Sequence, residues 1–303
     1  MKVPCPPTIP GILLHALWLG MPILRHVQIY GLGEADAEVK PDDSLVTYAD
    51  RKIERVMREY LAAFGEVYGE EYGRFGDGEG DYLFVVDPVD GTRTLANGDA
   101  GGSSIIVYAY DKRTKRIVAS AIGRPGTGEV WIAYDGITAK HVFDGEQFTH
   151  VKDCKVRTFI PDANRPTVYT EYPSGTFARR GGVRMLTEAG QLSLTTEIRR
   201  AGFHHFVIGS NGTHHSLLAG GGEVAGTITT AIGGIQDLGG ILIVEGAGGV
   251  ARAFRMGDDR QLHDCHPHED LLMPGGYDFL VMAINDDVAE RLTGMLRRAA
   301  AFM

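Results

Sequence analysis

Between residues 82 and 143 the chain passes through five short apolar or alternating runs: 82–86, 104–110, 117–122, 130–134 and 140–143. Polar clusters such as Asp111-Lys112-Arg113 and Asp144-Gly145-Glu146 punctuate them. Runs of this length bounded by turn residues read as strands. Strands that follow one another so closely leave no room for crossover helices, so they are expected to pair antiparallel in one sheet. That sheet needs a cover, and the upstream segments are helical enough to supply it. Ile53, Val56, Met57, Tyr60, Leu61 and Phe64 recur at helical spacing, with Arg51, Lys52, Glu54, Arg55, Arg58 and Glu59 assigned to the opposite, solvent face. Thr47 suits the N-cap of this helix, and Asp50 its first turn, where a carboxylate favours the dipole.

Residues 9–24 are apolar enough for an export segment or a membrane span. Pro10, Gly11, His15, Gly20 and Pro22 interrupt them, Arg25 and His26 follow, and a small-x-small cleavage site is lacking. A buried helix is the expectation and an export segment the alternative. Elsewhere no apolar run reaches the roughly 18 residues of a span. The second half alternates strand-like runs (167–170, 203–208, 224–229, 250–254, 279–284) with helical segments. Its last helix, over 288–301, carries Leu292, Met295, Leu296 and Ala299 on one face. A boundary is expected in the polar stretch 150–165, around Pro161 to Pro166. This divides an N-terminal α+β domain (1–155) from a C-terminal α/β domain (156–303).

A net charge of −9 over 303 residues argues against a nucleic-acid partner, since phosphate-backbone binding needs a basic surface. Small phosphorylated ligands remain open, because acidic side chains can hold a cation that attracts them. Cys5, Cys154 and Cys265 lie far apart and form no CxxC pair, so a reducing cytoplasm without a disulfide framework is expected.

The sharpest local feature is Asp87-Pro88-Val89-Asp90-Gly91-Thr92, directly after the apolar run 82–86. Pro88 fixes its own φ, Gly91 removes a side chain, and two carboxylates flank a carbonyl. Hard oxygens in so compact a cluster suit Mg²⁺; the alternative is a polar turn. Glu70-Glu71 and Asp237 add carboxylates, each also readable as a solvated charge or a helix-start residue.

Together, Leu45-Val46-Thr47-Tyr48-Ala49-Asp50, Gly69-Glu70-Glu71, the 87–92 hexapeptide, Gln236-Asp237-x-x-Gly-Gly and the later glycine-rich 246–250 stretch resemble the inositol monophosphatase family. This family lies within the lithium-sensitive, Mg²⁺-dependent phosphatases related to fructose-1,6-bisphosphatase. The blocks stand in the family's order from residue 45 to about 250, most of the chain. The resemblance implies a layered αβαβα sandwich, with an antiparallel N-terminal sheet and a smaller C-terminal α/β part. It implies a homodimer and two to three Mg²⁺ ions. Glu70, Asp87 and the Val89 carbonyl would hold the first ion. Asp87, Asp90 and Asp237 would hold the second, and a weaker third would sit near Glu70 and Asp50. Thr92 and Asp50 would relay a proton from the attacking water, with Glu70 beside them as a catalytic residue. The Gly91 and Thr92 amides would face the phosphate, Arg93 a substrate anion, and Gly209 and Ser210 would wall the substrate. Two cations about 4 Å apart can stabilise both the attacking and the leaving oxygen of an in-line displacement.

The expected activity is hydrolysis of a phosphomonoester of a small sugar, cyclitol or related alcohol. Fructose 1,6-bisphosphate, a 3′-phosphonucleotide and histidinol phosphate are the rival substrates, and a catalytically silent metal- and phosphate-binding module is the rival class. Two positions depart from the family pattern: Gln236 stands where Trp is usual, and Thr229 or Thr230 where inositol-phosphate enzymes place a hydroxyl-reading Glu. A neutral threonine accepts fewer hydrogen bonds than a carboxylate. Other features carry bland expectations. The His263, Asp264, Cys265, His266, His268 group reads as an exposed loop before a zinc site. His204-His205 and His214-His215 are candidates for a pocket rim, and Arg179-Arg180 for a second phosphate. Asn211-Gly212-Thr213 is a glycosylation sequon.

Overall fold

The computed structural model describes residues 8–33, 36–40, 45–76, 78–98, 102–156, 166–170, 179–180, 183–184, 186–230, 232, 234–272 and 277–302. Among the described residues the helices are α1 (Ile9–Tyr30), α2 (Tyr48–Leu61), α3 (Thr92–Ala96), α4 (Glu188–Arg200), α5 (Asn211–Ala219), α6 (Gly240–Gly246) and α7 (Asp286–Ala300). The first-half strands are β1 (Ala37–Val39), β2 (Leu45–Thr47), β3 (Glu66–Gly69), β4 (Gly73–Phe75), β5 (Tyr82–Asp90), β6 (Ser104–Asp111), β7 (Arg116–Arg124), β8 (Glu129–Tyr134), β9 (Ile137–Phe143) and β10 (Phe148–Asp153). Those of the second half are β11 (Thr167–Thr170), β12 (Arg179–Arg180), β13 (Val183–Arg184), β14 (His204–Val207), β15 (Val224–Thr229), β16 (Val250–Met256), β17 (Leu262–Cys265) and β18 (Phe279–Ala283).

An eight-stranded sheet runs β10-β9-β8-β7-β6-β5-β3-β4, and a six-stranded sheet runs β14-β11-β15-β18-β16-β17. The meander from β5 to β10 is antiparallel throughout, as the spacing of its runs demands; β3 joins β5 in parallel. The second sheet is mixed. β14, β11 and β15 are parallel, whereas β18, β16 and β17 are antiparallel, within the expected C-terminal α/β part.

Strand alternation sorts side chains into layers. On β5, Phe84 and Val86 face α1 and α2, while Leu83 and Val85 face α5 and α6. On β18, Leu280 and Met282 turn to that same middle layer, and Phe279, Val281 and Ala283 turn to α4 and α7. The order is therefore α1/α2, first sheet, α5/α6, second sheet, α4/α7: the αβαβα sandwich. A core shared by both sheets wraps α5 and α6. The first sheet ends at Asp153 and the second begins at Thr167; the expected boundary stretch is mostly outside the described residues.

Helix α1 is long and apolar enough to cross a membrane by length and composition. Here Leu13, Ala16, Leu17, Met21 and Leu24 are fully buried against the first sheet and α2, as the buried-helix expectation has it. Gly20 lets Ile53 and Met57 approach, since a methyl group there would stand 3.0 Å from Ile53 Cγ2. Two local readings change. The polar turn given as the alternative at 87–90 does not form, since these residues continue strand β5 to Asp90. Residues Leu262–Cys265 form an edge strand where a loop was expected.

Candidate active site

The carboxylate cluster is built on a fault in a ladder. Asp87 pairs with Ile106 and Asp90 with Ser104, so three steps on β5 match two on β6. Such a bulge re-aims side chains, and Pro88, which has no amide to donate, fits the break. The bulge turns Asp87 and Asp90 toward Asp237, which enters from the 3₁₀ turn Ile235–Gly239. The three are buried, and each offers an oxygen within 4.8 Å of the others. The Gly234 amide donates to Asp237 Oδ2 at 3.2 Å.

Asp90 is held by four donors. Ser104 Oγ (2.7 Å) and Ser210 Oγ (2.5 Å) donate to Oδ2 together with the Gly212 amide (2.7 Å), and the Asn211 amide (2.9 Å) donates to Oδ1. Asp90 thus binds the first amides of α5, whose N-cap is Ser210. Gly212 makes room for it: a methyl group there would overlap Ser104 Oγ.

Gly91 has φ +91 and caps α3. A methyl group on it would stand 2.8 Å from the Gly209 carbonyl and 3.0 Å from Ser210 Cβ, so glycine is needed for both its conformation and the close approach. The sequence-predicted residues Gly91, Gly209 and Ser210 therefore do meet. Arg93 is exposed on α3. Thr92 Oγ1 lies 3.0 Å from Asp50 Oδ1 and 2.9 Å from the Val89 carbonyl; its single proton can satisfy one of them at a time. Asp50 is fully buried and closes a capping box with Thr47, whose amide and hydroxyl donate to Oδ2 at 2.8 and 2.5 Å.

Glu70 stands apart from the tight trio. It is partly exposed, and Lys40 Nζ lies 3.6 Å away while also bonding Glu71. Burial raises the Glu70 carboxyl to about 8, against the pull of Lys40, with Asp237, Glu71 and Asp50 adding repulsion. Burial pushes Asp50 up to about 6, opposed by its bonds from Thr47 and Thr92. Asp87 is driven up by burial and then by Glu70, Asp90 and Asp237; burial raises Asp90 against its four donors. Carboxylates so crowded, all but Glu70 buried, resist ionising together and are the donor set a hard divalent cation relieves, so the residues fit Mg²⁺.

Sequence reading missed several supports. Glu54, assigned to the solvent face of α2, is fully buried one turn after Asp50. Its carboxylate accepts the Glu71 amide at 2.7 Å and the Tyr72 amide at 2.9 Å. The i, i+4 relation to Asp50 was the available signal. Ser104 and Lys40 carried none; Asn211 and Gly212 stood in the small-residue helix start read as a substrate wall, and the structure puts their amides on Asp90.

Other expectations fall away. Among the described residues the carboxylate trio is the only metal-competent group. His268 is buried, taking the Ile117 amide on Nδ1 (3.3 Å) and lying 2.8 Å from Glu245 through Nε2, while His263 pairs with Asp259. His214 and His215 are buried inside α5, off any rim, with His214 stacked on Tyr169. His205 bonds Thr170 on β11. Asn211 is buried and accepts from Thr229, which removes it as a glycan acceptor. The side chains of Arg179 and Arg180 are outside the described residues.

Comparison with known proteins places this geometry. Residues 21–275 match the inositol monophosphatase family. The chain is 29% identical over 138 residues to the chloroplastic bifunctional phosphatase IMPL2 of Arabidopsis thaliana, covering 44% of this chain and 36% of that protein. It is 30% identical over 102 residues to a histidinol-phosphatase of Streptomyces coelicolor, covering 32% of this chain and 38% of that one. The aligned parts therefore span little more than a third of these relatives. The structure of the extragenic suppressor protein suhB from Bartonella henselae superimposes with a TM-score of 0.71 at 18% identity, over 96% of this chain and 98% of that one, a likeness of fold. With most of its length matched and the buried trio in place, the chain belongs to the inositol monophosphatase family.

Proposed function

We propose that the chain is a Mg²⁺-dependent phosphomonoesterase acting on a small phosphorylated sugar, cyclitol or related alcohol. The observation that carries this is the buried Asp87, Asp90, Asp237 group with the Thr92–Asp50 hydrogen bond at its edge. Asp87, Asp90 and Asp237, with Glu70 and the Val89 carbonyl, would hold two to three ions. When bound, Mg²⁺ acidifies water and offsets charge on phosphoryl oxygens. Donating its proton to Asp50, the Thr92 hydroxyl keeps lone pairs free to take a proton from the attacking water. Asp50, raised to about 6, is matched to proton transfer near neutral pH. The Gly91 and Thr92 amides open α3, where they have no intrahelical acceptor and suit a phosphoryl oxygen. A cytoplasmic homodimer belongs to the same reading.

Histidinol phosphate is the second reading. Thr229 bonds Asn211 and Thr230 accepts from Gln191 Nε2 at 2.8 Å, so this wall is neutral where inositol-phosphate enzymes carry a carboxylate. A histidinol-phosphatase is also among the relatives. The test is phosphate release with and without Mg²⁺ from inositol, sugar, bisphosphate, nucleotide and histidinol phosphates, with Asp90→Asn alongside. Mg²⁺-stimulated turnover absent from Asp90→Asn is expected. Sugar-phosphate binding by calorimetry without release from any ester would sink the enzyme and favour a binding module.

A further inference from the structure

We infer that Glu54 is a positioning residue for the metal site: it fixes the backbone on both sides of Glu70, and through α2 ties Glu70 to the Thr92–Asp50 pair. The assignment rests on Glu70 being a metal ligand, as proposed above.

Glu54 is a fully buried carboxylate that makes no ion pair among the described residues, the Arg58 guanidinium one turn on acting on it only at longer range. Both oxygens are committed to one short turn: Oε2 takes the amide of Glu71 and Oε1 that of Tyr72. On the other side of Glu70, Gly69 ends β3 with its α-carbon pressed on the same carboxylate, so that a methyl group there would overlap Glu54. The residue before Glu70 and the two after it thus share one anchor. A buried carboxylate that accepts two amides replaces much of its lost hydration, and its planar pair of acceptors defines where both donors lie.

The anchor is placed by helix geometry. Asp50 and Glu54 are four apart on α2 and share a face. Asp50 reaches Thr92 at the end of the β5 bulge, while Glu54 reaches the Glu70 turn. One rigid helix therefore sets the separation between the hydroxyl meant to handle the proton and the carboxylate meant to hold the cation. Misplacement by about 1 Å suffices to lose a ligand from such a site.

Glu54→Gln keeps the shape but aims an NH₂ group at one of the two amides. Gly69→Ala leaves Glu54 intact and pushes it out of place, an independent route to the same disturbance. Glu70→Gln reports on the ligand itself. Mn²⁺ binding is followed by the EPR signal of the free ion, well below each variant's melting temperature, and the half-activating Mg²⁺ concentration is set beside KM for the best ester. We expect Glu70→Gln to bind Mn²⁺ at least about tenfold more weakly, and Glu54→Gln and Gly69→Ala at least about fivefold, with KM little changed. Glu54→Gln binding Mn²⁺ like the wild type while melting earlier, with Glu70→Gln impaired, would make Glu54 a fold-stabilising residue and overturn the inference alone. Unchanged Mn²⁺ binding in Glu70→Gln would overturn the ligand assignment and the inference with it. If Glu54→Gln does not fold, wild-type Mn²⁺ affinity in Gly69→Ala overturns the inference by the second route.

Discussion

The Gly212 amide donates to Asp90 Oδ2 at 2.7 Å across 122 residues of sequence. That bond joins the bulge of the first sheet to the start of the helix between the sheets. It makes Asp90 at once a candidate ligand and the support of α5.

Asp90→Asn therefore carries two penalties. An amide nitrogen would face N–H and O–H donors where four bonds now converge. Mg²⁺-dependent phosphate release should fall by at least about 100-fold, and unfolding by urea should report a loss of about 2–4 kcal/mol, since a buried network is broken from one side. Full activity in Asp90→Asn would remove Asp90 from the site.

Thr92→Ala should separate chemistry from binding. Removing a group that passes the proton typically costs about 10²–10⁴ in rate. kcat should fall within that range, while Mn²⁺ affinity stays within about threefold of the wild type. Thr92→Ser, which keeps the hydroxyl, should recover most of the loss in stopped-time phosphate assays.

Gly91→Ala tests the close approach of the two halves. Its φ of +91 and the 2.8 Å gap to the Gly209 carbonyl leave no room for a methyl group. About 2–4 kcal/mol of stability should disappear in urea unfolding, from strain and displaced backbone together. Asn97→Ala, on the exposed end of α3, should change stability by less than about 0.5 kcal/mol.

The acidic cluster sets the sign of a pH effect. Asp50, Glu70, Asp87 and Asp90 all have folded-state pKa values raised above the unfolded ones, to about 6 for Asp50 and about 8 for Glu70. Between their ordinary range and those values the folded protein holds more protons than the unfolded chain, so metal-free stability from these groups falls as pH rises. His214, lowered to about 3, and His215, lowered well below its usual value by burial and by His214, act oppositely below about 6.5. Bound at the proposed site, Mg²⁺ would remove the carboxylate contribution and leave that of the histidines. The rise in Tm on adding Mg²⁺ should therefore be small at pH 5 and grow steadily to pH 8 in scanning calorimetry; a rise independent of pH would contradict the cluster.

What could be read from the sequence was what repeats or clusters locally. The β5–β10 meander follows from evenly spaced apolar runs, and the capping box of α2 from Thr47 and Asp50 three apart. Of the trio, Asp87 and Asp90 stood out as two carboxylates flanking a carbonyl beside Pro88 and Gly91, whereas Asp237 was legible only through the family resemblance. The bulge was hidden, since Asp-Pro and Asp-Gly read as a turn until β6 supplies the register. Glu54 was misplaced because helical periodicity counts a carboxylate as polar, and only the folded GEE turn shows the amides that let it be buried. Leu262–Cys265 looked like loop because an edge strand with one pairing partner needs little apolar pattern.

The placement of α5 between the two sheets also orders events during synthesis. A nascent chain that has emerged only through β10 already holds Asp50, Glu70, Asp87 and Asp90, but neither the amides of Asn211 and Gly212 nor Asp237. Asp90 keeps only Ser104 of its four donors until the chain from residue 210 docks. Competence to hold the cation thus arrives late, and only in a chain whose two halves have already found each other.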